Sequence, residues 1–181
     1  MTRSAPKGLR HHPATIAFHW ISALLVVLLW AIGQTVDVFP AGPLRINYRT
    51  LHIVLGVALA AVLLARLGWR LAQRATLQPI DHGMLLAIAR ITHGLLYVLL
   101  ISAVGLGIAN VWVRGDVIFN LFQVPAYDPG NRALMHLIGG WHAFAANAVI
   151  IVAGLHAAAA LFHHYILRDA TLQRMLWWEV Q

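Results

Sequence analysis

Four long apolar runs constrain this chain more than any other feature. Residues 14–36, 48–73, 84–113 and 131–167 are rich in Ala, Val, Leu, Ile and aromatic residues and contain no Asp or Glu. Each is long enough, at about 1.5 Å per helical residue, to cross a hydrocarbon core of about 30 Å. The first run is too long for the apolar region of a signal peptide and lacks a small-x-small site at its end, so a retained membrane helix is expected. The fourth exceeds one crossing, and its start should protrude above the core. Loops are marked by Pro40, Gly42 and Pro43, by Pro79 and Asp81, and by Gly115, Pro125, Pro129 and Gly130. The expectation is an all-α membrane protein, a four-transmembrane-helix bundle forming one domain over residues 1–181.

Composition narrows the chemistry. The chain is 60% hydrophobic and 10% charged, where a soluble domain is about a quarter charged. It has no cysteine, which excludes disulfides, iron–sulfur clusters, thiolate zinc sites and covalent c-type haem. A net charge of +7 in a membrane chain reports topology and affinity for anionic lipid, so no nucleic-acid partner is expected. Arg3, Lys7, Arg10, Arg66, Arg70, Arg74, Arg90, Arg168 and Arg174 fall on one side. Arg45, Arg49, Arg114 and Arg132 fall on the other. This asymmetry predicts that both termini are cytoplasmic. Leu176, Trp177 and Trp178 would anchor the tail at the interface.

Eleven histidines are the outstanding excess. On the fourth helix His142 and His156 are fourteen residues apart. That spacing returns to within about 40° of the starting direction after a climb of roughly 21 Å. Depth along the alternating helices then pairs His52 with His142 at the outer level and His19 with His156 at the inner level. Two facing imidazoles with no carboxylate nearby suit porphyrin iron. Zinc would require three or four protein ligands that these helices do not supply.

Other residues keep open readings. Gly33, fourteen after His19, could admit an outer porphyrin or simply pack. Arg66, fourteen after His52, could meet an inner propionate or snorkel to the interface. His93 competes at the inner level: it could replace His19 or His156 as a ligand, contact a quinone or a propionate, or make a structural hydrogen bond. His163 continues the His156 face toward the cytoplasm. The third-helix glycines read as packing residues. His11, His12 and His82 read as solvated, His136 as interfacial and His164 as directed to headgroups.

The segments FHW at 18–20, LHI followed by LG at 51–56, LARLGWRL at 64–71, HGLLYVLL at 93–100, WHAFAAN at 141–147 and LHAAAALFHHYILRDATLQRM at 155–175 resemble the bacterial cytochrome b561 family. The match runs in order over nearly the whole chain. The resemblance implies two haems b, one on His19 and His156 and one on His52 and His142, the pairs that depth also selects. It implies a multi-pass protein of the bacterial inner membrane that oxidises superoxide on the outer side and passes electrons to ubiquinone, with His163 near the quinone. Arg45 and Arg49 are then the candidates for attracting the superoxide anion, although Asp37, Asp116 and Asp128 share that side and nearly cancel its charge. His163, His93 and Asp81 are candidate proton donors to the quinone. One alternative is a membrane-anchor cytochrome subunit linking a partner dehydrogenase or periplasmic donor to the quinone pool. Another is a bundle whose histidines only brace helices.

Overall fold

The computed structural model describes residues 10–73, 80 and 82–177. Arg3, Lys7, Arg74, Pro79, Asp81 and Trp178, which carry expectations above, lie outside the described residues. Among the described residues, four helices are long and apolar enough to cross a membrane: α1 (Pro13–Thr35), α2 (Pro43–Ala72), α3 (Gly83–Arg114) and α4 (Arg132–Phe162). α1 packs mainly on α2, and α3 on α4, with α2–α3 and α1–α4 contacts completing the bundle. Leu29, Leu59 and Leu63 form a buried core at mid-height, joined by Leu25, Val26, Leu55, Leu100 and Val104. Large apolar side chains such as Leu64, Ile101, Ile151 and Leu155 point outward. A lipid-facing bundle needs that pattern, because its backbone groups are satisfied inside each helix.

Helix α2 starts five residues before the expected position near Tyr48. Pro43 occupies the first helical turn, where its missing N–H costs nothing and its fixed φ favours the helix. The Pro-rich stretch therefore starts a helix instead of prolonging a loop. α4 gives way after Phe162 to a single π-helical turn, His163–Leu167, that ends on left-handed Arg168.

The two ends of the bundle are built differently. At one end, β1 (Val117–Ile118) and β2 (Phe122–Gln123) form a small antiparallel hairpin. Its tip holds Phe119 and Asn120 at positive φ, the twist that tight hairpin turns prefer. Phe119 is costly there, and its N–H is secured by Thr50 Oγ1 at 3.1 Å. Thr50 is fully buried, and its hydroxyl also contacts the carbonyls of Ile46 and Val117 at 2.8 and 3.3 Å. One side chain thus ties the hairpin to α2.

At the other end the tail folds back on the start of α1. Trp20 Nε1 donates to the Met175 carbonyl at 2.7 Å, His11 N–H to the Arg174 carbonyl at 3.1 Å, and Arg10 to the Trp177 carbonyl at 3.2 Å. This corrects two expectations. Leu176 is buried, and so it is a packing residue and not a lipid anchor. His11 is half-buried, and burial, then the Arg174 charge, lowers its pKa; His12 stays exposed to solvent while its Nδ1 accepts the Ala14 N–H and caps α1.

Thr50→Val should cost about 1 kcal/mol or somewhat more, because it removes the hydrogen bonds that the buried Thr50 hydroxyl makes to Phe119 N–H and to the carbonyls of Ile46 and Val117. Thr50→Ser should recover most of that loss. Thermal unfolding of the purified protein in detergent checks both, and equal stability of the valine variant and the wild type would refute the tie.

Candidate functional site

The structure brings the histidines together at two levels. His52 and His142 face each other at the hairpin end, with ring centroids 6.1 Å apart and ring planes at 85°. His19 and His156 face each other toward the termini end at 6.3 Å and 68°. Two imidazoles that bind one iron from opposite faces have ring centres about 6 Å apart, since each metal–nitrogen bond is about 2 Å and the ring centre lies about 1 Å behind the nitrogen. Both pairs fit that span. His142 Nδ1 lies 2.9 Å from the Ala103 carbonyl, and a carbonyl can only accept. The ring is therefore protonated at Nδ1, which leaves the Nε2 lone pair for a metal. His52 Nδ1 is buried without a hydrogen bond of good geometry, with the Leu29 carbonyl nearby.

His93 packs against His156 at 5.1 Å between centroids, too close for an iron between the two rings on the same geometry. It is therefore a neighbour of His156 and not its partner across a metal. Among the described residues no group of three or more His, Asp or Glu side chains is arranged to hold a metal ion.

Two glycines seat the hairpin-end rings. A Cβ on Gly33 would come 3.3 Å from His52 Cε1, and one on Gly107 would come 3.1 Å from His142 Cε1. Gly33 accordingly makes room for the imidazole itself. Gly107 was expected only to pack helices, yet its interval was legible: it lies fourteen residues after His93, as Gly33 follows His19 and Arg66 follows His52. Nearby, Asn147 Oδ1 accepts from Trp30 Nε1 at 2.9 Å and Gln34 Nε2 at 3.3 Å, which joins α1 to α4.

A cavity of about 410 Å³ adjoins this pair. Its walls include His52, His142, Gly33, Gly107, Leu59 and Val149, and its mouth carries Asp37, Arg49, Arg114 and Asp116. That volume and the mostly apolar walls with a few polar groups suit a bound cofactor or small molecule. Arg49 lines the cavity and Arg45 does not. Both arginines are paired with acids: Arg45 lies 3.6 Å from Asp37, and Arg49 lies 4.0 Å from Asp37 and 3.4 Å from Asp116.

Toward the termini end, Arg66 lies over the Tyr97 ring, 5.4 Å from its centroid, alongside Arg70 at 5.8 Å. Arg66 is also close enough for its charge to act on His19 and His156. His163 Nδ1 meets Asp169 Oδ2 at 2.6 Å, a pairing that sequence spacing did not indicate because it depends on the π-helical turn and on left-handed Arg168. Burial opposes ionisation of Asp169, but the hydrogen bonds from His163 and Thr171 outweigh it and hold the carboxyl below its usual range. His82 and His136 are exposed, and His164 is half-buried beside Tyr165.

The family model described as prokaryotic cytochrome b561 matches residues 10–178. Among curated proteins, the chain is 30% identical to a probable superoxide oxidase CybB of Yersinia pestis, over 89% of this chain and 92% of that protein. It is 31% identical to cytochrome b562 of Cereibacter sphaeroides, over 89% and 91%. It is 30% identical to cytochrome b561 homolog 2 of Escherichia coli, over 92% and 91%.

Gly107→Ala should lower the thermal midpoint through overpacking against His142, at a cost of about 1–3 kcal/mol. Gly105→Ala, whose Cβ would meet nothing within 4 Å, should leave the midpoint unchanged or raise it. Equal effects of the two substitutions in a melting experiment would contradict the ring-seating role.

Proposed function

The chain belongs to the prokaryotic cytochrome b561 family of haem-binding membrane electron-transfer proteins, and from that premise we propose that it binds two haems b and carries electrons from superoxide to ubiquinone. The observation that carries this reading is the pair of cross-helix histidine contacts at 6.1 and 6.3 Å. His52 and His142 would hold one haem, and His19 and His156 the other. The haems supply the one-electron redox chemistry, and the protein supplies ligation, burial and charge.

The hairpin end is the outer side of the bacterial inner membrane in this reading, and both termini are cytoplasmic. The placement of the arginines supports it: among the described residues Arg10, Arg66, Arg70, Arg90, Arg168 and Arg174 lie toward the termini end, and Arg45, Arg49, Arg114 and Arg132 at the hairpin end. The one domain, residues 1–181, then works across the membrane. Outside, two superoxide anions each lose one electron and leave as oxygen. Inside, one ubiquinone gains the two electrons and two protons and becomes ubiquinol. Arg49, and Arg45 behind it, attract the anion to the cavity mouth. His163, held by Asp169, is placed to donate a proton on the quinone side, and His93 lies beside His156 as a second polar contact. Arg66 is the candidate for a propionate at the inner level.

His142→Ala should remove one haem per chain and leave the other, as measured by haem content and reduced-minus-oxidised absorbance. Retention of both haems would refute the pairing. Pulse-generated superoxide should reduce the oxidised wild-type protein, and added ubiquinone should reoxidise it. A protein that stays oxidised under superoxide is not a superoxide oxidase.

A further inference from the structure

Three arginines and two aspartates form one connected cluster at the hairpin-end cavity, and of the five only Arg45 does not line it. Asp37 lies 3.6 Å from Arg45 and 4.0 Å from Arg49, and Asp116 lies 3.4 Å from Arg49 and 3.5 Å from Arg114. We propose that Asp116, with Asp37 in the same cluster, is a specificity-determining residue of this entrance. Its buried carboxylate holds Arg49 and Arg114 and restrains the pull of the cavity on small anionic electron donors. The inference rests on the reading that such donors deliver electrons at this end.

The fold positions this carboxylate from both sides. Gly115, just before it, closes α3 in the left-handed conformation, and a Cβ there would lie 2.8 Å from Ala126 Cβ. Asp116 N–H donates to the Val111 carbonyl at 3.3 Å, and its own carbonyl accepts from Val124 N–H at 3.0 Å. The Thr50 tie anchors the hairpin that follows. The side chain of Asp116 is 9% exposed, against 78% for Asp37. Its charge is therefore the less screened of the two acids.

The charges in the cluster sum to +1, from Arg45, Arg49 and Arg114 against Asp37 and Asp116. Loss of either acid raises the sum to +2. Arg49, Arg114, Asp37 and Asp116 line the same cavity as His52 and His142; these four charges cancel, so loss of either acid leaves the lining with a net +1. The cluster thus attracts anions less than its three arginines alone would. A neutral or cationic donor gains relative access from the same arrangement.

The test uses the full chain with its haem complement, as wild type, Asp116→Asn and Asp37→Asn. The second variant removes the same charge from an exposed position and leaves the hairpin backbone untouched, so it decides the question if Asp116→Asn fails to fold. Each protein is mixed with superoxide and, separately, with dithionite, whose reacting species is the sulfur dioxide radical anion. Every productive encounter moves one electron from the anion to the oxidised protein, releasing oxygen or sulfur dioxide. At low ionic strength, where charges act over about 30 Å, the folded variants should react about two- to tenfold faster than wild type, and the gain should vanish near 1 M salt, where the range is about 3 Å. Rates at or below wild type in the folded variants at low salt would overturn the inference. If dithionite shows the predicted gain while superoxide reduces none of the proteins, the charge role stands and the superoxide reading fails.

Discussion

Fourteen residues of α-helix rise about 21 Å and come back to nearly the same face, and the arrangement of this bundle depends on that interval. α4 carries His142 and His156 at this spacing, α1 carries His19 and Gly33, α2 carries His52 and Arg66, and α3 carries His93 and Gly107. Because neighbouring helices run in opposite directions, the interval sets two levels with a different occupant at each. At the hairpin end, glycines on α1 and α3 admit the rings of His52 and His142. At the termini end, His19, His93 and Arg66 gather around His156. Leu29, Leu59 and Leu63 fill the space between. A shift of one residue in any helix would turn its functional side chain by about 100° and break the pairing.

The helices and both histidine pairs were legible in the sequence for this reason. Apolar length and helical period are local properties, and matching depths needs only the direction of each helix. What the sequence left hidden depends on contacts between distant segments. Leu176 has the composition of a lipid anchor, yet it is buried where the tail folds back on α1 and Trp20 holds the adjacent Met175 carbonyl. Pro43 reads as a loop residue until the chain beyond it is seen to be helical. Asp116 reads as one of three scattered acids, and its weight comes from burial between two arginines that approach it from α2 and the end of α3. The His163–Asp169 contact needs a π-helical turn followed by a left-handed arginine, a backbone path that no periodicity argument supplies.

The two ends also differ in what they can do. The hairpin end offers a cavity with a charged mouth beside its histidine pair, suited to a small polar reactant arriving from water. The termini end is clasped by the tail and carries a histidine hydrogen-bonded to a carboxylate. The acids matter at the hairpin end because, close to arginines in a partly buried site, a single charge is poorly screened.

Electron paramagnetic resonance of the oxidised protein tests the central claim most directly. Two imidazoles on one ferric haem make it low-spin, whereas a haem that lacks one of them has a free axial position. With a facing histidine pair proposed to hold a haem at each level, two low-spin haems per chain are expected. A high-spin signal, or a single haem per chain, would contradict the proposed ligation.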